Sequence, residues 1–122
     1  MPTDPRHTLG RLGERLAGEH LERLGYRIVA RNHRTRFGEL DLVAADDETI
    51  VFCEVKTRRA GTGAPWGALD DRKRKQVRSM GAAWLSETHE RPRTAELRFD
   101  AIGVLIDRHG ALVELVQLEG AF

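Results

Sequence analysis

The sequence predicts an α/β domain: a mixed β-sheet flanked by helices, with the order helix, three strands, helix, two strands (αβββαββ). Three observations predict it. Apolar residues recur first at helical spacing, then alternate with polar ones in successive runs, and both patterns then return once more. Such interleaving of the two periods is what layered α/β domains require, because each element must bury one face against the other kind. With 122 residues the chain has the size of one domain, and a chain of this size buries roughly two thirds of its unfolded surface without staples. We therefore read residues 1–122 as a single domain, with 1–6 as a flexible tail.

The elements are taken in chain order. Leu9, Leu12, Leu16, Ala17, Leu21 and Leu24 fall at helical spacing, and Gly25 stops that helix. Tyr26 to Arg31 reads as a first strand, and Asn32 to Phe37 as a polar turn. Gly38 to Ala45 and Thr49 to Lys56 both alternate, and the short acidic stretch Asp46-Asp47-Glu48 joins them as a hairpin. Arg59 to Gly67 has the glycine-rich composition of a mobile loop. A second helix is expected from about Asp70, a good cap, to Thr88, and the segment Glu90 to Thr94, with Pro92, breaks it. Two further strands, Glu96–Asp107 and Ala111–Leu118, flank a turn at Arg108-His109-Gly110.

Composition narrows the function classes. Hydrophobic residues make up 40% and charged residues 32%, which is the balance of a water-soluble globule. The chain has no run of about 18 apolar residues, so no membrane partner is expected. Met1 to Arg6 has no apolar h-region, so no secretory signal is expected either. The single cysteine, Cys53, excludes an intramolecular disulfide and any multi-cysteine zinc site. It fits a reducing, cytoplasmic setting. Net charge is only +1, so local rather than overall charge must decide whether a polyanion binds.

Local charge concentrates on the hairpin. Strand alternation sets Glu54 and Lys56 on one face of their strand, and Glu39 and Asp41 on one face of the partner. A two-residue loop at Asp47-Glu48 pairs Asp46 with Thr49. Counting outward, Asp41 then faces Glu54 and Glu39 faces Lys56. Directly opposed residues hold their Cβ atoms roughly 5 Å apart, and like charges there are destabilising. A divalent cation removes the conflict, and carboxylates are the ligands that Mg²⁺ or Mn²⁺ prefer. An ordinary surface hairpin also carries cross-strand Glu–Lys pairs. The apolar run around Glu54, and the clustering of the acids with a lysine, favour the metal site.

The motifs Gly13-Glu14-Arg-Leu-Ala, Gly25-Tyr26, Arg31-Asn32-His-Arg34, Gly38-Glu39-Leu-Asp41-Leu and Val51-Phe52-Cys-Glu54-Val-Lys56-Thr-Arg58 together resemble the bacterial YraN-like family. Its members look like distant relatives of archaeal Holliday-junction resolvases, in the restriction-endonuclease-like superfamily with its PD-(D/E)xK site. The likeness runs from about Leu9 to Leu118. It implies that Asp41 is the first metal ligand, Glu54 the second and Lys56 the catalytic lysine. The carbonyl of Val55 is implied as a further metal ligand, and Glu14 as the helix glutamate beside the metal. Leu40 stands where the superfamily's name has proline, and Cys53 where an aliphatic residue is usual.

Basic residues supply the expected nucleic-acid contacts. Lys73 shares the second helix's stripe with Val77, Met80 and Trp84, and Gln76 borders it, so both are candidates for a place near the scissile phosphate. Arg74 and its neighbours are candidates for backbone phosphates. Arg31, Arg34 and Arg36 on one side, with Lys56, Arg58 and Arg59 on the other, make a basic rim around an acidic centre. Trp66 is read as an anchor of its own loop and Asp100 as a buried structural carboxylate, and the five histidines show no metal-ligand spacing. The expectation is a metal-dependent DNA endonuclease acting on branched DNA among other forms. A homodimer suits a two-fold substrate. The alternative is a non-catalytic nucleic-acid-binding module on the same fold.

Overall fold

The computed structural model describes residues 5–61, 70–88, 91 and 96–122. Helix α1 spans Pro5–Arg23. Proline is well placed in a first turn, where its missing N–H is no loss. Pro5 and Arg6 are therefore helical and not part of a tail. The fully buried positions of α1 are Gly13, Ala17, Gly18 and Leu21, a stripe of mostly small residues. Leu9, Leu12 and Leu16 pack beside that stripe, whereas Leu24 lies past the helix end and is 57% exposed. Gly25 takes a left-handed φ of 100°, and the Tyr26 N–H returns to the Leu21 carbonyl at 3.1 Å, which closes the helix.

The strands are β1 (Arg27–Thr35), β2 (Gly38–Ala45), β3 (Thr49–Arg59), β4 (Glu96–Ile106) and β5 (Leu112–Leu118), with helix α2 (Asp71–Glu87) between β3 and β4. They form one sheet in the order β1-β2-β3-β4-β5. The β3–β4 pair is parallel and the other three are antiparallel. A parallel pair needs a long crossover, and α2 supplies it. The element order is the αβββαββ order read from the sequence, and it fits a restriction-endonuclease-like core. The Asp70 side chain caps α2 by accepting from the Lys73 N–H at 3.0 Å.

The stretch from Asn32 to Thr35, expected to turn, is strand. His33 pairs with Leu40 and Arg34 with Glu39. Polar composition misleads there because β1 is an edge strand, where charged side chains are tolerated and useful. The hairpin register is the expected one, with Ala45 opposite Ile50, Val43 opposite Phe52 and Leu42 opposite Cys53. The Asp46 carboxylate ties the turn by accepting from the Glu48 and Thr49 N–H groups, each at 2.8 Å.

Each face of the sheet buries its own core. Val77, Met80 and Trp84 of α2 pack on Leu40, Val43 and Phe52 of the sheet. Phe52 stacks on Phe99 at 5.0 Å and meets Trp84 edge-on at 5.8 Å. On the other face Leu21 of α1 packs with Leu42, Val51, Cys53, Ile102 and Val104 of the sheet. Asp100 is fully buried on that side and has the structural role expected of it. It accepts from Arg98 Nη2 at 2.9 Å, Gln117 Nε2 at 2.9 Å and the Gly120 N–H at 3.0 Å, so it pins the C-terminal segment to β4. The Arg59–Gly67 loop, with Trp66, falls outside the described residues apart from its first positions.

This packing predicts two stability changes. A Cβ on Gly13 would lie 1.8 Å from Thr57 Oγ1, so Gly13→Ala must push α1 off β3. The expected loss is about 1–3 kcal/mol, read by urea unfolding. Asp100→Ala leaves the Arg98 guanidinium short of its main partner, and the same measurement should show a loss of about 3 kcal/mol.

Candidate functional site

The site exists because two strands part. Pairing of β2 with β3 ends at Leu42 and Cys53. The β1–β2 ladder runs on to Thr35 and Gly38, and the β3–β4 ladder to Arg59 and Ile106. β2 and β3 therefore diverge, and a notch opens between Gly38–Asp41 and Glu54–Arg59. Side-chain alternation also slips here. Leu40 and Val43 both lie in the core under α2, although residues three apart in a regular strand point to opposite faces. The slip falls at Asp41.

Asp41 fills the gap that the missing ladder leaves. Its Oδ2 accepts from the Val55 N–H at 2.7 Å, so a side chain stands in for a β2 carbonyl. Asp41 and Glu54, expected to be neighbours, are brought together without being a ladder pair. Burial raises the Asp41 pKa. Burial, then the charge of Asp41 beside it, pushes Glu54 up to about 9. The pair thus holds one shared proton to higher pH than a free carboxyl would, because burial and mutual repulsion disfavour the doubly charged form. Glu54 Oε1 is buried and has no hydrogen-bond partner.

Two more acids close on Asp41. Gly13 brings α1 against β3, and Glu14 on the next position reaches the notch. Oxygens of Glu14, Glu39 and Asp41 lie within 4.8 Å of one another, a spacing that can hold a metal ion. Burial, with the like charges of Asp41 and Glu39, raises the Glu14 pKa against the lowering effect of its bond to Asn32. Asn32 Nδ2 donates to Glu14 Oε2 at 2.7 Å and to Glu39 Oε1 at 3.0 Å. Sequence reasoning assigned Asn32 no role. The available signal was its place in the motif Arg31-Asn32-His-Arg34, as a residue type that tolerates positive φ.

The cations are distributed differently from the hairpin count. Lys73, half-buried on the sheet side of α2, lowers the pKa of both Asp41 and Glu54, so it is the ammonium that these two carboxyls feel. Its Nζ lies 3.4 Å from Gln76 Oε1, and Gln76 Nε2 donates to the Phe37 carbonyl at 3.0 Å. Glu39 does not face Lys56, because the ladder has ended. It lies 3.7 Å from Arg34 Nη2 instead. Lys56 is exposed and has no ion pair with Asp41 or Glu54 among the described residues. It lines a cleft of about 540 Å³ with Glu14, Val55 and Arg58. Arg58 is half-buried and donates to the Thr57 carbonyl at 3.1 Å. Arg74 is held on the surface by Asp71 at 2.9 Å.

Comparison with known proteins agrees with the extent of this assembly. A UPF0102 protein of Acidothermus cellulolyticus is 45% identical, with 96% of this chain and 95% of the relative covered. One of Pelotomaculum thermopropionicum is 41% identical over 98% of both. One of Geobacter sulfurreducens is 48% identical over 80% of this chain and 76% of its own length. A family model described as uncharacterised protein family UPF0102 matches residues 13–104, a span that holds Glu14, Asn32, Glu39, Asp41, Glu54, Lys56 and Lys73. The chain belongs to the UPF0102 family, the YraN-like family that its motifs resemble.

Proposed function

We propose that this protein is a metal-dependent endonuclease that hydrolyses phosphodiester bonds of DNA, branched DNA included. The observation that carries this reading is the half-buried Asp41–Glu54 pair, with a buried Glu54 oxygen that lacks a hydrogen-bond partner, beside two further acids in an open notch. A structural carboxylate in this same molecule, Asp100, has every oxygen satisfied. Buried acids left short of partners suit a cation ligand set, and a pure nucleic-acid binder gains nothing from acids facing phosphate.

The donors fit Mg²⁺ or Mn²⁺, which take carboxylate and carbonyl oxygens. Asp41, Glu14 and Glu39 would hold the ion, with Glu54 and the Val55 carbonyl as further donors. When bound, such an ion supplies charge to a phosphate oxygen and acidity to a water. Glu54 must give up the shared proton for both carboxylates to bind. Lys73 offsets negative charge on the α2 side, where a transition state would need it. Lys56 and Arg58 line the cleft beside Glu14 and offer cations to phosphates of the same strand. Arg34, Arg74 and Gln76 lie farther out as contacts to the backbone, which carry no sequence information. A homodimer would present two notches to a two-fold branched substrate.

Asp41→Asn tests the centre. Mn²⁺ affinity, read by calorimetry, should fall at least about tenfold. Cleavage of branched and duplex DNA in Mn²⁺ should be lost, while DNA binding persists. Lys73→Ala and Lys56→Ala should each lower kcat by roughly 10²-fold or more with the fold intact. Wild-type protein that binds DNA but cuts none of these substrates would establish the non-catalytic binding module instead.

The raised Glu54 pKa gives a second test. In the folded protein Glu54 keeps its proton up to about 9, whereas the unfolded chain releases it near 4.5. The folded state therefore holds more protons across that window. Stability from this group is complete at low pH and is lost as pH rises toward 9. Thermal melts in EDTA should show that decline, and Glu54→Gln should flatten it. Mn²⁺ should bind more tightly as pH rises across the same range, because binding releases the proton.

A further inference from the structure

Asn32 is the one non-glycine among the described residues with a positive φ, 48°. Glycine, asparagine and aspartate accept that backbone readily, and other residues do not. The departure occurs inside a paired strand. Asn32 lies between the Arg31–Leu42 and His33–Leu40 pairs, which is the register position across from Asp41. The backbone thus turns left-handed opposite the residue that anchors the notch. That turn swings the Asn32 side chain out of the strand's alternation and toward the acids.

Both amide hydrogens are then spent on two carboxylates from different elements. Glu14 of α1 accepts at 2.7 Å and Glu39 of β2 at 3.0 Å. An arginine or lysine in this place would hold the same two acids but cancel their charge. An amide holds them and leaves their charge for a cation. Glutamine has a longer reach and little tolerance of positive φ, so it would do neither part well.

We propose that Asn32 is a positioning residue: its left-handed backbone aims an uncharged amide that fixes Glu14 and Glu39 at ligand spacing around Asp41, and thereby sets the divalent-cation affinity of the site. The role rests on the metal-centre reading above. Asn32 touches neither cation nor substrate in this role and acts through the two glutamates. Partners that orient metal-binding side chains are commonly worth about 10–100-fold in affinity.

The test separates amide from backbone. Asn32→Gly keeps the left-handed backbone and loses both donors. Asn32→Ala loses both donors and strains the backbone. Mn²⁺ binding by calorimetry and metal-free melting temperature are measured for both, with wild type and Asp41→Asn alongside. Both Asn32 variants should bind Mn²⁺ about tenfold or more weakly. The melting temperature should fall in Asn32→Ala and stay near wild type in Asn32→Gly. Asn32→Gly with wild-type affinity would overturn the proposal while leaving the metal centre standing, provided that Asp41→Asn still loses affinity. An affinity loss confined to Asn32→Ala would show a backbone role only and would also overturn it. Wild type that binds no Mn²⁺ would remove the metal centre and this role together.

Discussion

The divergence of β2 from β3 is the constraint on which the rest of the site depends. A ladder that continued past Leu42 and Cys53 would satisfy the Val55 N–H with backbone and seal the gap. Because it stops, a side chain must enter to meet that N–H, and Asp41 does so. An ionisable group is thereby fixed half-buried, where its charge is less well solvated than at the open surface. Every other feature answers that placement: the raised pKa of Glu54, the approach of Lys73 and the gathering of Glu14 and Glu39.

The buried Asp100 and the half-buried Asp41–Glu54 pair show how differently this fold treats charge. Asp100 has a bidentate arginine, a glutamine amide and a backbone N–H around it. Nothing in that network is left open, and its position ties β4 to the chain end. Asp41 and Glu54 have one backbone N–H, one shared proton and a distant ammonium. Burial without compensation is costly. It persists where something outside the chain completes the set, and Glu14, at the edge of the notch, lines a cleft.

The site also draws on both helical layers. Small residues on α1 let it lie close to β3, and a methyl on Gly13 would collide with Thr57. Glu14 rides on that close approach. On the other face α2 lies over Phe52 and Phe99, again with a glycine, Gly81, at a tight contact. Its first turn, capped by Asp70, sets Lys73 on the sheet side. A site assembled from α1, β1, β2, β3 and α2 is positioned by packing on both faces, so loss of either core would disperse it. The family match, which begins at Gly13 and runs into β4, spans all of these elements.

Much of this was written in local pattern. Period and punctuation determined the element order, the cap at Asp70, the stop at Gly25 and the hairpin register, because each depends on neighbours a few residues away. The same alternation set Asp41 and Glu54 near each other, and the stripe of Val77, Met80 and Trp84 set Lys73 toward the sheet. Tertiary structure decided where pairing stops. No local pattern encodes the parting of β2 and β3, so counting outward from the turn wrongly extended the ladder to Glu39 and Lys56. It decided that the polar stretch after Arg31 is strand, since edge pairing outweighs composition there. It decided, finally, that Asn32 bends left-handed against Asp41 and joins Glu14 to Glu39, a contact between α1 and the sheet that only the packed layers bring about.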